Sequence, residues 1–191
     1  MPNILAVDCT GETLTVAVGR FALAAKPKKT DEALLPLVER LLKKAKLDWK
    51  DLDAVAAASG PGRFTGIRIG LSFAAAAGYG LGVPAFAVSR LDAAAAKAGK
   101  PKVLAALRGW KDEVSHQAFR GAKASAPPSW SAAADWESFA AASGAKGYPA
   151  ALVEVGASDL LPVAERLLAS KRRPPLEPLY LKPASYERPR A

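Results

Sequence analysis

A glycine-rich segment at residues 59–70, Ser-Gly-Pro-Gly-Arg-Phe-Thr-Gly-Ile-Arg-Ile-Gly, has residue types that suit phosphate binding. It follows a strand-like apolar run at 54–58 and precedes a helical pattern. Gly60 and Gly62 permit positive φ angles or close backbone approach, and Pro61 fixes one dihedral angle between them. Because the first turn of the following helix would present free N–H groups, the segment has the chemistry of an anion-binding loop.

The two common nucleotide-binding loops nevertheless do not match this segment. A P-loop needs Lys followed by Ser or Thr after its last glycine, whereas Gly66 is followed by Ile67 and Arg68. The dinucleotide fingerprint needs its third glycine at the position of Thr65, and Gly66 comes one residue late. The spacing therefore excludes both standard loops.

A second candidate site is the turn that follows the first apolar run, Asp8-Cys9-Thr10-Gly11. An aspartate in this position either contributes to a phosphate-binding turn or accepts hydrogen bonds from the turn amides, and both interpretations stay open. Cys9 has no base nearby in sequence, which favours a small residue at the end of a core strand over a nucleophile.

The single histidine, His116, lies in an alternating pattern with Val114 and Ala118 on the same predicted strand face. This pattern favours a structural histidine over a catalytic one. With one histidine and one cysteine in the chain, a metal site built from several such ligands is excluded.

The composition indicates a folded chain without membrane segments. Its 191 residues suffice for one domain or two small lobes, and the 50% hydrophobic content is spread over short runs. None of these runs approaches the ~20 apolar residues of a membrane helix. The single cysteine and the lack of a visible export signal predict a reducing, cytoplasmic location.

The net charge of +9 predicts an acidic partner, either a nucleic acid or a negatively charged protein. Six lysines flank one predicted helix, and three cations open the final segment: Lys26, Lys28, Lys29, Lys43, Lys44, Lys46, Lys171, Arg172 and Arg173. These charges form either solvated faces or an RNA contact. Only 7% of the residues are aromatic, and no RNA-recognition signature is present.

The first half of the chain predicts a β-meander followed by a β-α-β unit. Strands are expected at 3–8, 13–19 and 20–26, and a helix at 31–46 with Thr30 as its N-cap and Pro36 inside it. A strand at 53–59, a helix at 64–80 and a strand at 83–88 follow, so the last two strands should be parallel. Ser89 and Asp92 resemble a capping box for the next helix, which Gly99 closes.

The second half predicts strands at 102–107, 113–120 and 149–155, and helices at about 133–142 and 158–169. Residues 121–131 are expected to be a loop. From residue 171 onward, five of 21 residues are proline, which predicts an extended tail that either docks or stays free. We therefore expect a first lobe at 1–100, a smaller second lobe at 101–170 and a tail at 171–191.

The predicted helix at 64–80 carries a stripe of small residues at helical spacing: Gly66, Gly70, Ala74, Ala77 and Gly78. Each glycine costs a helix about 1 kcal/mol relative to alanine, so the stripe predicts a close contact. The sequence leaves open whether this contact is with the protein's own sheet or with a partner.

Several motifs resemble one known family. Residues 60–70 match the Gly-Pro-Gly-Ser-Phe-Thr-Gly-x-Arg-x-Gly signature of the TsaB (YeaZ) family, with Arg63 in place of the usual serine. The runs at 4–10, 32–36 and 178–182 resemble further motifs of this family. The chain departs from the family at residues 30–32 and 107–110, where a histidine and an Asp-Ala-Arg are usual.

This resemblance implies an α/β, actin-like or ribonuclease-H-like (ASKHA-type) fold of two lobes, in which the nucleotide site at Asp8–Gly11 has decayed. It also implies a non-catalytic subunit that pairs with TsaD, with TsaE as a third partner and a homodimer when alone. TsaD would transfer a threonylcarbamoyl group to the adenosine next to the anticodon of tRNA. ATP and magnesium are expected only in the partner subunits, and no intrinsic cofactor is expected.

In this family the helices at 31–46 and 64–80 form the partner surface. The implied interface residues are Leu34, Leu35, Val38, Leu41, Leu42, Gly60, Pro61, Gly62, Arg63, Phe64, Thr65, Gly66, Arg68, Ile69, Gly70 and Ala74. The alternatives are an active enzyme, such as a small ATP-dependent phosphotransferase or a peptidase, and a basic tRNA-binding module.

Overall fold

The computed structural model describes residues 1–109, 112–171 and 173–182. Its first sheet contains β1 (Ile4–Asp8), β2 (Leu14–Val18), β3 (Phe21–Ala25), β4 (Ala54–Gly60) and β5 (Ala85–Ser89), in the order β3-β2-β1-β4-β5. The first three strands are antiparallel neighbours, whereas β1, β4 and β5 run parallel. The predicted meander and the predicted β-α-β unit are both confirmed.

Three helices accompany these strands: α1 (Thr30–Ala45), α2 (Phe64–Leu81) and α3 (Arg90–Ala98). The predicted N-cap of α1 is wrong, because Thr30 is already helical and the extended residue before the helix is Lys29, which makes no side-chain cap. Asp31 and Glu32 supply favourable negative charge in the first turn. At α3, the Ser89 hydroxyl caps the helix by accepting from the Leu91 N–H at 3.1 Å, rather than from that of Asp92.

The second sheet contains β6 (Lys102–Arg108), β7 (Glu113–Arg120), β8 (Lys123–Ala124), β9 (Ser129–Ala132) and β10 (Ala150–Leu152). The prediction of a continuous loop at 121–131 is wrong, since β8 and β9 both pair with β7. These strands are too short to show an alternating pattern, and cross-strand bonds to β7 hold them. The helices α4 (Ala133–Ala145) and α5 (Ala157–Ala169) lie where the sequence predicts them.

The elements stack in layers. α1 and α2 cover one face of the first sheet, α3 and α5 lie on its other face, and α3 also contacts the second sheet, whose outer face is covered by α4. β1 shows the alternation that this requires, since Leu5 and Val7 face α1 and α2 while Ile4 and Ala6 face α3 and α5. The sequence assigns α5 to the second lobe, but it packs across β1 and β2 of the first sheet.

The small-residue stripe of α2 faces the protein's own backbone. A methyl group at Gly66 would lie 2.0 Å from the Cys9 carbonyl oxygen, and one at Gly78 would lie 2.6 Å from Cβ of Ala85. Ala74 is fully buried between them. The contact with its own chain is therefore the correct alternative, and the stripe is closed to a partner. In the described part of the chain, no helix has the length and apolar character needed to cross a bilayer.

We expect three alanine substitutions on α2 to separate close packing from helix propensity. Gly66→Ala should lower the free energy of unfolding by about 1–3 kcal/mol or more, because the methyl group collides with backbone. Gly80 has nothing within 4 Å, so Gly80→Ala should raise it by about 0.5–1 kcal/mol. Gly70→Ala should be tolerated, since its nearest neighbour, Sγ of Cys9, lies 3.7 Å away. Urea denaturation measures all three, and equal effects at Gly66 and Gly80 would contradict the packing of this stripe.

Candidate functional site

Asp8 lies at the carboxyl end of β1 and is 2% exposed. One of its carboxylate oxygens, Oδ1, accepts from the Thr10 N–H at 2.9 Å and from the Thr10 hydroxyl at 2.6 Å. Asp8 thus holds the turn at residues 9–11 closed, as the structural interpretation of this residue expects. The other oxygen, Oδ2, faces a cation from a different segment.

That cation is Arg90, which sequence reasoning missed. Its Nε lies 3.1 Å from Oδ2 of Asp8, while Nη1 and Nη2 donate to the carbonyl oxygens of Pro61 and Val155, each at 3.0 Å. The side chain is largely buried, so the two opposite charges compensate each other's loss of hydration. One guanidinium therefore connects the ends of β1 and β4 with the segment that leads into α5.

One signal in the sequence could have identified Arg90. It follows the apolar strand pattern at 85–88 directly and occupies the first position of α3. A cation is unfavourable at a helix N-terminus, where the helix dipole is positive, so its presence there requires a buried or charged partner.

The loop at residues 60–62, which we call the glycine loop, packs against the turn at residues 8–11, which we call the Asp8 turn. A methyl group at Gly62 would lie 2.6 Å from both Cβ and the carbonyl oxygen of Thr10, and the Arg63 N–H donates to that same oxygen at 2.7 Å. Gly60 has a φ of +108°, which favours glycine, and a methyl group there would lie 2.9 Å from the carbonyl oxygen of Leu179. The loop that resembles an anion-binding loop in sequence is thus pressed against the Asp8 turn and the tail.

The described part of the tail docks against both sheets. The Pro174 carbonyl accepts from the Ala87 N–H at 3.2 Å, and the Leu179 N–H donates to the Ser59 carbonyl at 2.8 Å. Beyond these bonds the chain reaches the start of α2 and then the second sheet. Of the two alternatives for the tail predicted at 171–191, docking is correct for residues 173–182, and residues 172 and 183–191 lie outside the described part of the chain.

The final described residues of the tail make aromatic and charged contacts. The Tyr180 ring stacks on Phe64 with centroids 4.6 Å apart, and its hydroxyl accepts from Nε of Arg68 at 3.0 Å. Lys182 forms an ion pair with Glu113 and lies 3.1 Å from the ring centroid of Trp130. The motif at 178–182 therefore joins α2 to the second sheet.

Cys9 is buried, and burial together with the neighbouring Asp8 carboxylate raises the pKa of its thiol to about 12. The thiol is therefore protonated at neutral pH, which is the opposite of an activated nucleophile. This agrees with the interpretation of Cys9 as a small core residue.

His116 is also buried. Its Nε2 lies 2.8 Å from the Ser131 hydroxyl, its ring lies 4.3 Å from that of Phe139, and burial lowers its pKa. The contacts with Ser131 on β9 and with α4 indicate a packing role, as the sequence favours. Among the described residues, no group of three or more His, Cys, Asp or Glu side chains is placed to hold a metal ion.

The structure divides the implied interface residues into two groups. Nine are buried within the chain and are unavailable to a partner, which corrects their assignment: Leu34, Val38, Leu41, Leu42, Gly60, Pro61, Gly66, Gly70 and Ala74. The helical spacing of the seven that lie on α1 and α2 reflects contact with the first sheet and the Asp8 turn. The other seven are exposed or half-buried: Leu35, Gly62, Arg63, Phe64, Thr65, Arg68 and Ile69. Phe64 and Arg68 already contact the tail.

We expect Cys9 to be inert in the folded protein. At pH 8 its alkylation by iodoacetamide should be roughly a thousandfold slower than in the urea-unfolded chain, because the raised pKa leaves far less thiolate. The same shift makes the folded state lose stability as the pH rises from about 9 towards 12, since only the unfolded chain releases the proton. Comparable alkylation of folded and unfolded protein would contradict this.

A family model and two curated relatives are similar to this chain. A sequence model described as "TsaD: tRNA N6-adenosine threonylcarbamoyltransferase" matches residues 25–172. The tRNA threonylcarbamoyladenosine biosynthesis protein TsaB of Buchnera aphidicola (subsp. Schizaphis graminum) is 38% identical over 100 residues, which are 50% of this chain and 48% of that protein. TsaB of Escherichia coli K12 is 33% identical over 123 residues, 59% of this chain and 52% of that protein. The chain thus spans about half the length of the curated relatives it matches.

Similarity of structure extends over nearly the whole chain. YeaZ from Pseudomonas aeruginosa superposes with a TM-score of 0.72 at 27% identity, covering 95% of this chain and 100% of that one. This likeness and the two mixed sheets confirm the actin-like α/β fold that the resemblance implies. Since the family model covers most of the sequence and the relatives carry the TsaB name, the chain belongs to the TsaB (YeaZ) proteins of the TsaD family.

Proposed function

We propose that this protein is a non-catalytic, TsaB-like subunit that pairs with TsaD through the solvent-facing sides of α1 and α2 and supports threonylcarbamoyl transfer to tRNA. The observation that carries this proposal is the composition of the outer side of α2. Its exposed positions are small or uncharged except for Arg68: Thr65, Ser72, Ala75, Ala76, Tyr79 and Gly80.

A helix side that only meets water normally carries several charged residues. The outer side of α2 instead presents Tyr79, which is 93% exposed, between small side chains that allow a second helix to approach closely. On the neighbouring α1, Leu35 is 48% exposed although its turn contains charged residues. Exposed apolar and small residues on adjacent helices are typical of a protein contact.

The family relationship supports TsaD as the partner. The chain matches the TsaD family model, so the two proteins share a fold core over residues 25–172. Chains of one fold can pair through equivalent faces, as the subunits of a two-fold symmetric dimer do. The same surface would then serve a homodimer of this chain, and TsaD would compete with that homodimer.

The three residues that the sequence singles out as candidates for chemistry make their contacts inside this chain. Arg90 and Thr10 occupy both carboxylate oxygens of Asp8, the raised pKa of Cys9 keeps its thiol protonated, and His116 packs against α4. We therefore assign the transfer reaction, ATP and magnesium to the partner subunits, with TsaE as the third protein. The role of this chain in the proposal is to position TsaD.

We expect Ala76→Arg to weaken association with TsaD. An arginine in a close helix contact costs about 1–3 kcal/mol or more through overpacking, which corresponds to roughly tenfold to a hundredfold in the dissociation constant. Because Ala76 is exposed, the melting temperature of the free protein should change little. Isothermal titration calorimetry with purified TsaD gives the affinity, and differential scanning calorimetry gives the melting temperature.

Ala141→Arg is the matched control, since Ala141 is an exposed helical alanine on α4. It should leave the affinity for TsaD unchanged. The proposed surface is wrong if both variants bind TsaD like the parent protein or if both lose affinity equally. If the parent protein does not bind TsaD at all, the pairing itself is refuted.

We also expect the isolated chain to bind Mg-ATP weakly and not to hydrolyse it. The Arg90 guanidinium pairs with the carboxylate of Asp8, which a magnesium ion would need as a ligand. The glycine loop is packed against the Asp8 turn. Calorimetric titration with Mg-ATP is the measurement. A micromolar dissociation constant that Asp8→Ala abolishes would support the phosphotransferase alternative instead.

A further inference from the structure

Five basic residues surround the hairpin between β7 and β8 at one end of the second sheet: Lys100, Lys102, Arg120, Lys123 and Arg166. We call these five residues the hairpin cluster. They come from the end of α3, from the strands of the second sheet and from α5, so no single stretch of sequence reveals them.

Backbone pairing brings the first four residues together. Lys102 and Arg120 are direct cross-strand partners on β6 and β7, and Arg120 is in turn the partner of Lys123 on β8. Lys100 lies next to Pro101, whose carbonyl accepts from the Gly121 N–H of the hairpin at 2.8 Å. The pairing therefore fixes four cations around one turn.

Two adjoining open clefts connect these residues with α5 and the tail. A cleft of about 1080 Å³ is lined by Arg120, Lys123 and Arg166 and by the tail residues Pro174, Pro175, Glu177, Pro178 and Leu179. A second cleft of about 390 Å³ shares Arg166 and is also lined by Lys100. Four of the five cations thus line the adjoining clefts between the hairpin, α5 and the tail, and Lys102 lies beside them as the cross-strand partner of Arg120.

The positive charge of this surface is largely uncompensated. Among the described residues, the ion pairs involve other cations, so Lys100, Lys102, Lys123 and Arg166 have no carboxylate within 4.0 Å. Two acids line the clefts, Asp92 and Glu177. Burial raises the pKa of Asp92, although Arg166 opposes this effect, so burial disfavours the charged form of that carboxylate.

Arg120 is held in position in a way that suits a multi-point anion contact. Its Nε donates to the Tyr148 hydroxyl at 2.7 Å, and its guanidinium lies 5.8 Å from the centroid of the Tyr148 ring. In the described part of the chain, no acceptor is bonded to its two Nη groups. An arginine fixed through Nε presents these groups to a phosphate with little further loss of side-chain entropy.

We propose that the hairpin cluster binds the sugar–phosphate backbone of an RNA. Its cations are spread over a concave surface several residues wide, which suits an extended polyanion better than a single small anion. The choice of RNA over other polyanions rests on the proposed function, since the relatives are named for a modification of tRNA. The cluster lies on the second sheet and on α5, whereas the proposed TsaD surface lies on α1 and α2, which cover the opposite face of the first sheet, so both partners can bind at once.

The recognition is electrostatic and does not read sequence. Phosphate contacts release counterions, so about four contacts to a flexible RNA predict that affinity falls about fiftyfold between about 50 and 200 mM salt. Affinity should differ little between tRNA species, because the cluster contributes cations and no stacked aromatic side chain for a base.

The test is binding of an unmodified tRNA transcript to the full chain, measured by fluorescence anisotropy across that salt range. The variant Lys100→Glu/Lys102→Glu/Lys123→Glu changes three exposed residues of the cluster. It should lower the affinity by at least about thirtyfold and reduce the slope of log affinity against log salt by roughly 0.7 for each lysine removed. Circular dichroism melting verifies that the variant folds.

The matched control is Lys26→Glu/Lys28→Glu/Lys50→Glu, which makes the same change in net charge at exposed positions near the first sheet. It should retain most of the RNA affinity. Equal losses in both variants, or no loss in the cluster variant, would overturn the proposal. Equally effective competition by poly-glutamate of matched charge would overturn it in favour of an acidic protein partner.

Titration of the cluster variant with TsaD separates this inference from the proposed function. The variant should bind TsaD like the parent protein, since its substitutions lie outside α1 and α2. If the parent chain binds RNA through the cluster but does not bind TsaD, the proposed function fails while the RNA surface stands. If it binds TsaD and not RNA, the reverse holds.

Discussion

The buried pair of Asp8 and Arg90 is the interaction on which the centre of this molecule depends. Removing either charge would leave the other buried without an opposite charge, which is far more costly than losing an exposed ion pair. Arg90 also holds two backbone carbonyls, so the glycine loop and the entry to α5 are fixed relative to β1. The close packing of Gly62 on Thr10 and of Gly66 on Cys9 follows from the same fixed turn.

Because the centre of the molecule is fixed in this way, both proposed functions are assigned to its surface. Asp8, Cys9 and His116, which the sequence singles out as candidates for chemistry, are buried. Two features lie outside: the exposed side of α2, on which Arg68 is the one charged residue, and the cations around the β7–β8 hairpin. The two proposed surfaces lie on different layers of the fold.

The sequence predicted the strands and long helices because their signals are local. The alternating strands, the Ser89 cap and the Gly99 end of α3 each involve neighbouring residues. The stripe on α2 was recognised but its partner was not, since spacing alone does not tell an inward contact from an outward one. Arg90 was missed because two of its partners lie 29 and 65 residues away, and β8 and β9 were missed because pairing with β7 defines them.

The docked tail covers one edge of the first sheet. β5 is the edge strand of that sheet, and Pro174 accepts a hydrogen bond from its Ala87 N–H. Pro174, Pro175 and Pro178 carry no N–H, so the covering segment cannot pass the hydrogen-bonding pattern on to a further strand. The tail therefore covers an apolar edge strand and prevents it from pairing with another chain. Shortening the protein at this end would expose that edge strand and promote aggregation.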